Sequence, residues 1–201
     1  MRKCFISYKK EDRRYKDYLV NTFGSECFIN KALDRTINSF DGDYVMQVIR
    51  NDYLCDSTVT LFLIGTHSSE MEGSDIYGDK NYFIKRELAA SLFNGPGNTR
   101  NGVLGIVLPE MYDRVFKGTY FCQSCGQVHS YVDVGDSTTI REFSANYYTQ
   151  PHQGCSWREE DRYCVLVKWE DFLKETEHYI ELAFTKRFSP AAEKIRIRNL
   201  R

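Results

Sequence analysis

The segment Lys3-Cys4-Phe5-Ile6-Ser7-Tyr8-Lys9 decides the fold, because a short apolar stretch ends in polar residues and a polar helical pattern follows it directly. This order is typical of a buried strand that leads into a helix. In an open parallel sheet, ligands bind outside the carboxyl ends of the strands. We therefore expect Ser7, Tyr8 and Lys9 to lie at a ligand site.

The rest of the first half of the chain alternates between strand and helix patterns. Apolar runs predict strands at 3–8, 27–29, 58–64 and 102–108, and apolar stripes predict helices at 11–23, 45–53 and 81–93. The run 58–64 is too continuous for a strand with one wet face, so we expect it at the centre of the sheet. Strands joined by helices imply right-handed crossovers. We therefore predict an α/β fold, a doubly wound parallel sheet with helices on both faces.

The position of the ligand crevice follows from this sheet. If later strands flank the first strand, the crevice opens between the carboxyl ends of the first and third strands. Ser7, Tyr8 and Lys9 would then lie near Thr66 and His67, which follow the third strand. His67 could contact a ligand there, although a single histidine in a loop is more often only solvated.

Composition limits the classes of protein to which the chain can belong. The 201 residues suit a single domain, 1–201, and 42% of them are hydrophobic, which is typical of a folded chain. A net charge of -1 provides no general basic field for nucleic acid. No apolar run has the length of a membrane span or a signal peptide, so we expect a soluble, cytoplasmic protein without a membrane partner. Cys4, Cys27 and Cys55 lie in or beside apolar segments and are predicted to be core residues.

Glu87 is the second feature that the sequence singles out. The helix predicted at 81–93 has an apolar stripe toward the sheet, formed by Ile84, Leu88 and Leu92. Glu87 borders this stripe, so its carboxylate could be partly desolvated and still reach a ligand in the crevice. The alternative is a solvated glutamate that pairs with Lys80 or Arg86.

Three motifs, in this order, resemble those of TIR domains. They are Phe5-Ile6-Ser7-Tyr8, then Asp56-Ser57 before the strand that leads to Gly65, and finally Phe83-Ile84-Lys85-Arg86-Glu87. Phe83 stands where tryptophan is common in the family. In detail the chain resembles the TIR-like proteins of bacterial anti-phage systems of the Thoeris type, mainly over residues 3–108.

This resemblance implies a flavodoxin-like sheet and cleavage of the nicotinamide–ribose bond of NAD, with Glu87 in the catalytic position. A carboxylate suits this chemistry, because positive charge develops on the ribose as neutral nicotinamide leaves. The residues expected to contact the nucleotide are Ser7, Tyr8, Lys9, Thr66, His67 and Phe83. The resemblance further implies an ADP-ribose-derived product, linear or cyclic, that acts on a separate effector protein in anti-phage defence. Enzymes of this kind often assemble into homo-oligomers.

Two other functions stay open. A TIR-like interaction module would assemble with other TIR domains without catalysis, and its Glu87 would be paired and solvated. A nucleoside-modifying hydrolase of the same fold, such as a relative of deoxyribosyltransferases, would also use a glutamate in the crevice. An enzyme must present Glu87 to a pocket that it shares with residues 7–9.

The motif Cys122-Gln123-Ser124-Cys125-Gly126 lies in an irregular insertion, 109–162, that follows the fourth strand. Two thiolates at this spacing before a glycine are typical of a zinc knuckle. Four residues could complete a structural site: His129, His152, Cys155 and Cys164. His152 and Cys155 form a second pair at suitable spacing, so we predict that they bind zinc together with Cys122 and Cys125. A redox-active or disulfide pair, or simply free cysteines, are the alternatives.

The last part of the chain offers two weaker signals. The segment 187–201 is rich in basic residues and predicts a solvated tail, with an acidic partner surface as the alternative. Apolar residues in 169–184 predict one last helix that covers the sheet, with a helix that binds a partner as the alternative.

Overall fold

The computed structural model describes residues 2–24, 28–29, 42–75, 78–79, 81–95 and 98–198. Within these ranges the strands are β1 (Cys4–Ser7), β2 (Phe28–Ile29), β3 (Val59–Ile64), β4 (Ser74–Asp75), β5 (Gly78–Asp79), β6 (Gly102–Val107), β7 (Phe116–Phe121), β8 (Val128–Val132) and β9 (Val165–Lys168). The helices are α1 (Arg13–Phe23), α2 (Gly42–Val48), α3 (Tyr82–Leu92), α4 (Tyr112–Val115), α5 (Arg141–Tyr147), α6 (Trp169–Lys174) and α7 (Thr176–Lys186). A π-helical segment, Ile49–Leu54, continues α2.

Five strands form a parallel sheet in the order β2-β1-β3-β6-β9. The chain passes from β1 to β2 on one side and then to β3 on the other, so the direction of winding reverses at β1. The predicted α/β fold with a parallel sheet is confirmed, and the strand order is compatible with a flavodoxin-like fold. Such a reversal places the crevice for a ligand above the carboxyl ends of β1 and β3.

Helices cover both faces of the sheet, because successive side chains of each strand point to opposite sides. Ile6 of β1 packs in a core with Leu19 of α1 and with residues of α6 and α7. Phe5, its neighbour, packs with Val45 of α2 and Ala90 of α3. All six residues of β3 are buried, so the expectation of a doubly covered central strand is confirmed.

The second half of the chain is more regular than the sequence suggests. Within 109–162, β7 and β8 form an antiparallel hairpin, and Phe143 of α5 packs into the core against the sheet. β9, which adds the fifth strand beside β6, is not among the predicted strands, although the run Cys164-Val165-Leu166-Val167 is apolar. The prediction of a single helix at 169–184 is wrong, because two helices, α6 and α7, are separated at Glu175.

The basic segment near the C-terminus packs back on the domain, so the prediction of a solvated tail is wrong for residues 187–198. Ala191 and Ala192 are buried. Asn146 of α5 donates to the backbone carbonyl of Arg196 (2.9 Å) and accepts from its N–H (2.8 Å). Two residues further, Arg198 forms ion pairs with carboxylates of the domain.

The three cysteines predicted as core residues have different outcomes. Cys4 is buried, as predicted. Cys55 is exposed, because it lies in the turn that follows the π-helical segment, so its prediction is wrong. Cys27 lies outside the described residues. Among the helices that the structure describes, none combines the length and the apolar character needed to cross a membrane.

Candidate functional site

Ser7 and Glu87 meet between α3 and the sheet. Ser7 is the last residue of β1 and points to the same face as Phe5, which is the face that α3 covers. Its Oγ donates a hydrogen bond of 2.6 Å to Glu87 Oε2. Only 6% of Glu87 is exposed, so the alternative of a solvated glutamate is wrong. The structure therefore brings together the two residues on which the sequence argument depends.

Neighbouring contacts fix Glu87 in place. Residues 84–92 are all buried, so α3 is covered on every side. One turn after Glu87, Ser91 Oγ donates to the Glu87 carbonyl oxygen (2.7 Å) and lies 2.7 Å from Thr60 Oγ1 of β3. Before the helix, Asn81 Nδ2 donates to the Ser69 carbonyl oxygen (2.6 Å). Both ends of the helical segment around Glu87 are thus tied to the sheet or to the loop after β3.

Burial changes the chemistry of Glu87. Its basic neighbours have other contacts, since Lys85 Nζ lies 3.1 Å from Glu70 Oε1 and the Arg86 guanidinium lies over the Tyr82 ring. Within the described residues no cation forms an ion pair with Glu87. Desolvation outweighs the hydrogen bond from Ser7 and raises the pKa of Glu87 to about 8. Such a shifted carboxyl group is characteristic of functional sites, although structural polar pairs also produce it.

Asp12 is a second buried carboxyl group at this edge, and the sequence argument did not identify it. It lies in the turn between β1 and α1, and its carboxylate packs so closely on Gly65 that a Cβ added there would displace it. Burial, and then the carboxylates of Glu11 and Glu110, raise its pKa to about 6. Its Oδ2 has no hydrogen-bond partner in the described residues. The signal in the sequence is an acidic residue just after β1, at the expected crevice.

The other residues predicted to contact the nucleotide lie near this edge of the sheet. They do not form one cluster with Ser7 and Glu87. Tyr8 packs partly against the core on the α1 face, opposite to Glu87. Lys9 and Thr66 are half-buried, and His67 is exposed with its Nδ1 3.9 Å from Glu72 Oε2. Phe83 is half-buried and packs edge-to-face against Tyr82, with 5.2 Å between ring centroids. The loops after β1 and β3 do meet, at Asp12 and Gly65.

A second cluster, Cys122, Cys125, His129 and Cys155, could hold a metal ion. One ligand atom from each residue lies within 4.8 Å of those of the other three. His129 Nε2 is 3.0 Å from Cys125 Sγ and 3.3 Å from Cys155 Sγ. We refer to these four residues as the Cys3His cluster.

His152 does not belong to the Cys3His cluster, so its prediction as a ligand is corrected to His129. The His152 ring stacks on Trp157, with 3.7 Å between ring centroids. His129 instead lies on β8, just beyond the turn that carries Cys122 and Cys125. Cys164, the other candidate, is buried in the core against the sheet.

The turn between β7 and β8 has the backbone geometry of a knuckle. Gly126 has φ of 69°, and its N–H donates to the Cys122 carbonyl oxygen (2.8 Å). Backbone N–H groups of Cys125 and Ser124 donate to the Cys122 sulfur and lower its pKa to about 6. A thiolate is the form that binds a metal ion.

Comparison with known proteins does not assign the chain to a family. No protein-family model and no solved structure matches it. Because one fold hosts many activities, function has to be argued from the residues of the site.

Proposed function

We propose that this protein is a TIR-like enzyme of flavodoxin-like fold that cleaves the nicotinamide–ribose bond of NAD, with Glu87 as the catalytic carboxylate. One observation carries the proposal: a buried carboxyl group with a raised pKa, bound to Ser7 at the end of β1, where the winding of the sheet reverses. Ligands of open α/β sheets bind at this place. The three TIR-like motifs in the sequence supply the substrate class.

This reaction requires little of the protein other than a carboxylate placed beside the ribose. Nicotinamide leaves as a neutral molecule, so the ribose acquires positive charge in the transition state, and a nearby carboxylate stabilises it. The free protein holds a proton on Glu87 up to about pH 8. The cationic nicotinamide ring of NAD favours the ionised form of a nearby carboxyl group. Binding of NAD would therefore release this proton and create the anion where it is needed.

The ribose has to approach from the carboxyl edge of the sheet. Because only 6% of Glu87 is exposed, the chain above this edge has to open before a substrate reaches the carboxylate. Lys9 and Thr66 are half-buried at this edge and would contact the phosphates, and Phe83 would line the entrance. In this proposal the product, ADP-ribose or a cyclic isomer, acts on a separate effector protein in anti-phage defence.

A second candidate is a TIR-like interaction module without catalysis. The solvated Glu87 expected for such a module is not found, but the burial fits it in another way, because a carboxyl group bound to a serine under a helix is also a satisfied structural pair. In such a module, Glu87 and Ser7 would position α3 and would meet no ligand.

The purified protein incubated with NAD, with nicotinamide release followed by chromatography, separates these candidates. We expect the wild type to release nicotinamide and E87Q to lose this activity, since the amide keeps the shape but not the charge. E177Q, which removes an exposed carboxylate of α7, is the matched control and should be unchanged. Full turnover by E87Q would refute the catalytic assignment. Absence of release from the wild type would favour the interaction module, and release of base from nucleosides would favour a nucleoside hydrolase.

A further inference from the structure

The β7–β8 hairpin has little core of its own. Phe121 and Val128 are each 64% exposed, and Tyr131 is 54% exposed. An isolated two-stranded hairpin is marginally stable at best in water. Burial of these side chains therefore does not explain how the hairpin holds its shape.

We propose that the Cys3His cluster binds one structural zinc ion, with His129 as the nitrogen ligand. Zinc takes four ligands in a tetrahedron, which requires about 3.8 Å between sulfur atoms and about 3.6 Å between nitrogen and sulfur. The His129 Nε2 distances of 3.0 and 3.3 Å to two of the sulfur atoms are shorter than this separation by about 0.6 and 0.3 Å, so small side-chain shifts would admit the ion. Four protein ligands leave no open position, so the site is structural rather than catalytic.

The surroundings of His129 support the same assignment. Its Nδ1 lies 3.4 Å from Ser156 Oγ, which turns Nε2 toward the sulfur atoms of Cys125 and Cys155. A partner on the second ring nitrogen is a regular feature of histidines that bind metals. Cys125, His129 and Cys155 also border a cavity of about 580 Å³, through which an ion can enter.

The chemistry of the donors selects zinc. Three thiolates and one imidazole suit zinc, whereas magnesium and calcium take oxygen ligands. A disulfide is the competing explanation, but it would join only two of the three thiols and leave His129 without a role.

The ion would connect two parts of the chain. Cys122, Cys125 and His129 belong to the hairpin, whereas Cys155 lies in the loop before β9. This loop is attached to the domain, since Trp157 Nε1 donates to the Thr149 carbonyl oxygen (2.9 Å). Zinc would thus fasten the hairpin to the domain.

Metal content of the full chain, purified without chelator, tests the proposal independently of any activity on NAD. We expect one zinc ion per chain in the wild type by mass spectrometry of the elements, and loss of zinc in H129A and C155S. H152A and C55S, which change residues outside the cluster, should keep it. Zinc retained in H129A but lost in H152A, or absent from the wild type, would overturn the assignment.

Two further measurements distinguish loss of the metal site from loss of the fold. Cobalt(II) added to metal-free wild type should give the visible absorption of a tetrahedral thiolate site, and H129A should not. Circular dichroism should show the same helix content in H129A and the wild type. An intact-mass measurement that finds Cys122 and Cys125 joined as a disulfide, with no zinc present, would contradict the proposal.

Discussion

Asp12 and Glu87 are two carboxyl groups at the carboxyl edge of the sheet that keep their protons to unusually high pH. Burial is the main cause for both, and it raises the pKa of Asp12 to about 6 and that of Glu87 to about 8. They differ in their surroundings, because Glu87 accepts a hydrogen bond from Ser7, whereas Asp12 Oδ2 has no such partner in the described residues. Glu87 is therefore neutral in the resting protein at neutral pH and becomes an anion only when something at the site favours it.

The raised pKa of Glu87 makes stability depend on pH in a defined range. Between about pH 4.5 and 8 the unfolded chain has released this proton while the folded chain keeps it, so the free energy of unfolding falls as the pH rises. E87Q removes this dependence. We expect the stability of the wild type relative to E87Q to decline by at most about 1.4 kcal/mol per pH unit in this range and to level off above it. Urea unfolding at a series of pH values measures the difference.

The matched control for this experiment is E177Q, whose stability relative to the wild type should not vary over the same pH range. A constant difference between the wild type and E87Q would show that Glu87 ionises at its ordinary pH and that the acid is not desolvated in solution. This outcome would also remove the main physical support for the catalytic role proposed for Glu87.

At the scale of the elements, α3 shows what a sequence pattern can and cannot reveal. Its stripe of Ile84, Leu88 and Leu92 is periodic, so both the helix and its sheet-facing side are predictable. The burial of Lys85 is not predictable, because three successive charged residues, Lys-Arg-Glu, are typical of the solvent-exposed side of a helix. Its partner, Glu70, lies fifteen positions away in the loop after β3, and local periodicity contains no information about it.

The candidate metal ligands illustrate the same limit. Spacing identifies Cys122 and Cys125 as a pair, because both lie in one turn. Which of His129 and His152 is free to bind an ion depends on whether its imidazole ring already packs against another side chain. The stacking of His152 on Trp157 is visible only in the three-dimensional structure. Similarly, neither glycine nor proline marks the break at Glu175 between α6 and α7, so the sequence predicts one helix there.

The contact between β6 and α7 allows a test at this scale. Gly102 opens β6 at a point where an added Cβ would overlap the Ala183 backbone carbonyl of α7, and a backbone atom cannot move aside as a side chain can. We expect G102A to lower the free energy of unfolding by about 3 kcal/mol, because α7 has to shift from the sheet. G135A is the control, since its Cβ would lie 3.6 Å from Asp133 Oδ1, an ordinary contact. Equal stability of both variants in urea unfolding would contradict this close packing.

At the scale of the whole molecule, one arginine joins parts that are distant in the sequence. Arg198 binds Glu142 of α5 and Glu70 of the loop after β3, and Glu70 in turn binds Lys85 of α3. Arg198 and Lys85 together hold the pKa of Glu70 down at about 2, although burial opposes them. Glu70 therefore stabilises the fold above about pH 4.5, and this contribution is lost as the pH falls toward 2. The C-terminal segment is thus linked, through Glu70, to the helix that carries Glu87.

Removal of Arg198 should strongly destabilise the fold, because the Glu142 side chain is fully buried and would lose its counter-ion. We expect R198A to lower the free energy of unfolding by about 3 kcal/mol, as is usual when one partner of a buried ion pair is removed. The double variant R198A/E142Q should recover part of the loss, since a buried amide needs no cation. R196A is the control, because Arg196 is exposed and binds Asn146 through its backbone alone. Urea unfolding of the four proteins decides the matter: if R198A is as stable as R196A, or if E142Q recovers nothing, Arg198 does not balance a buried charge.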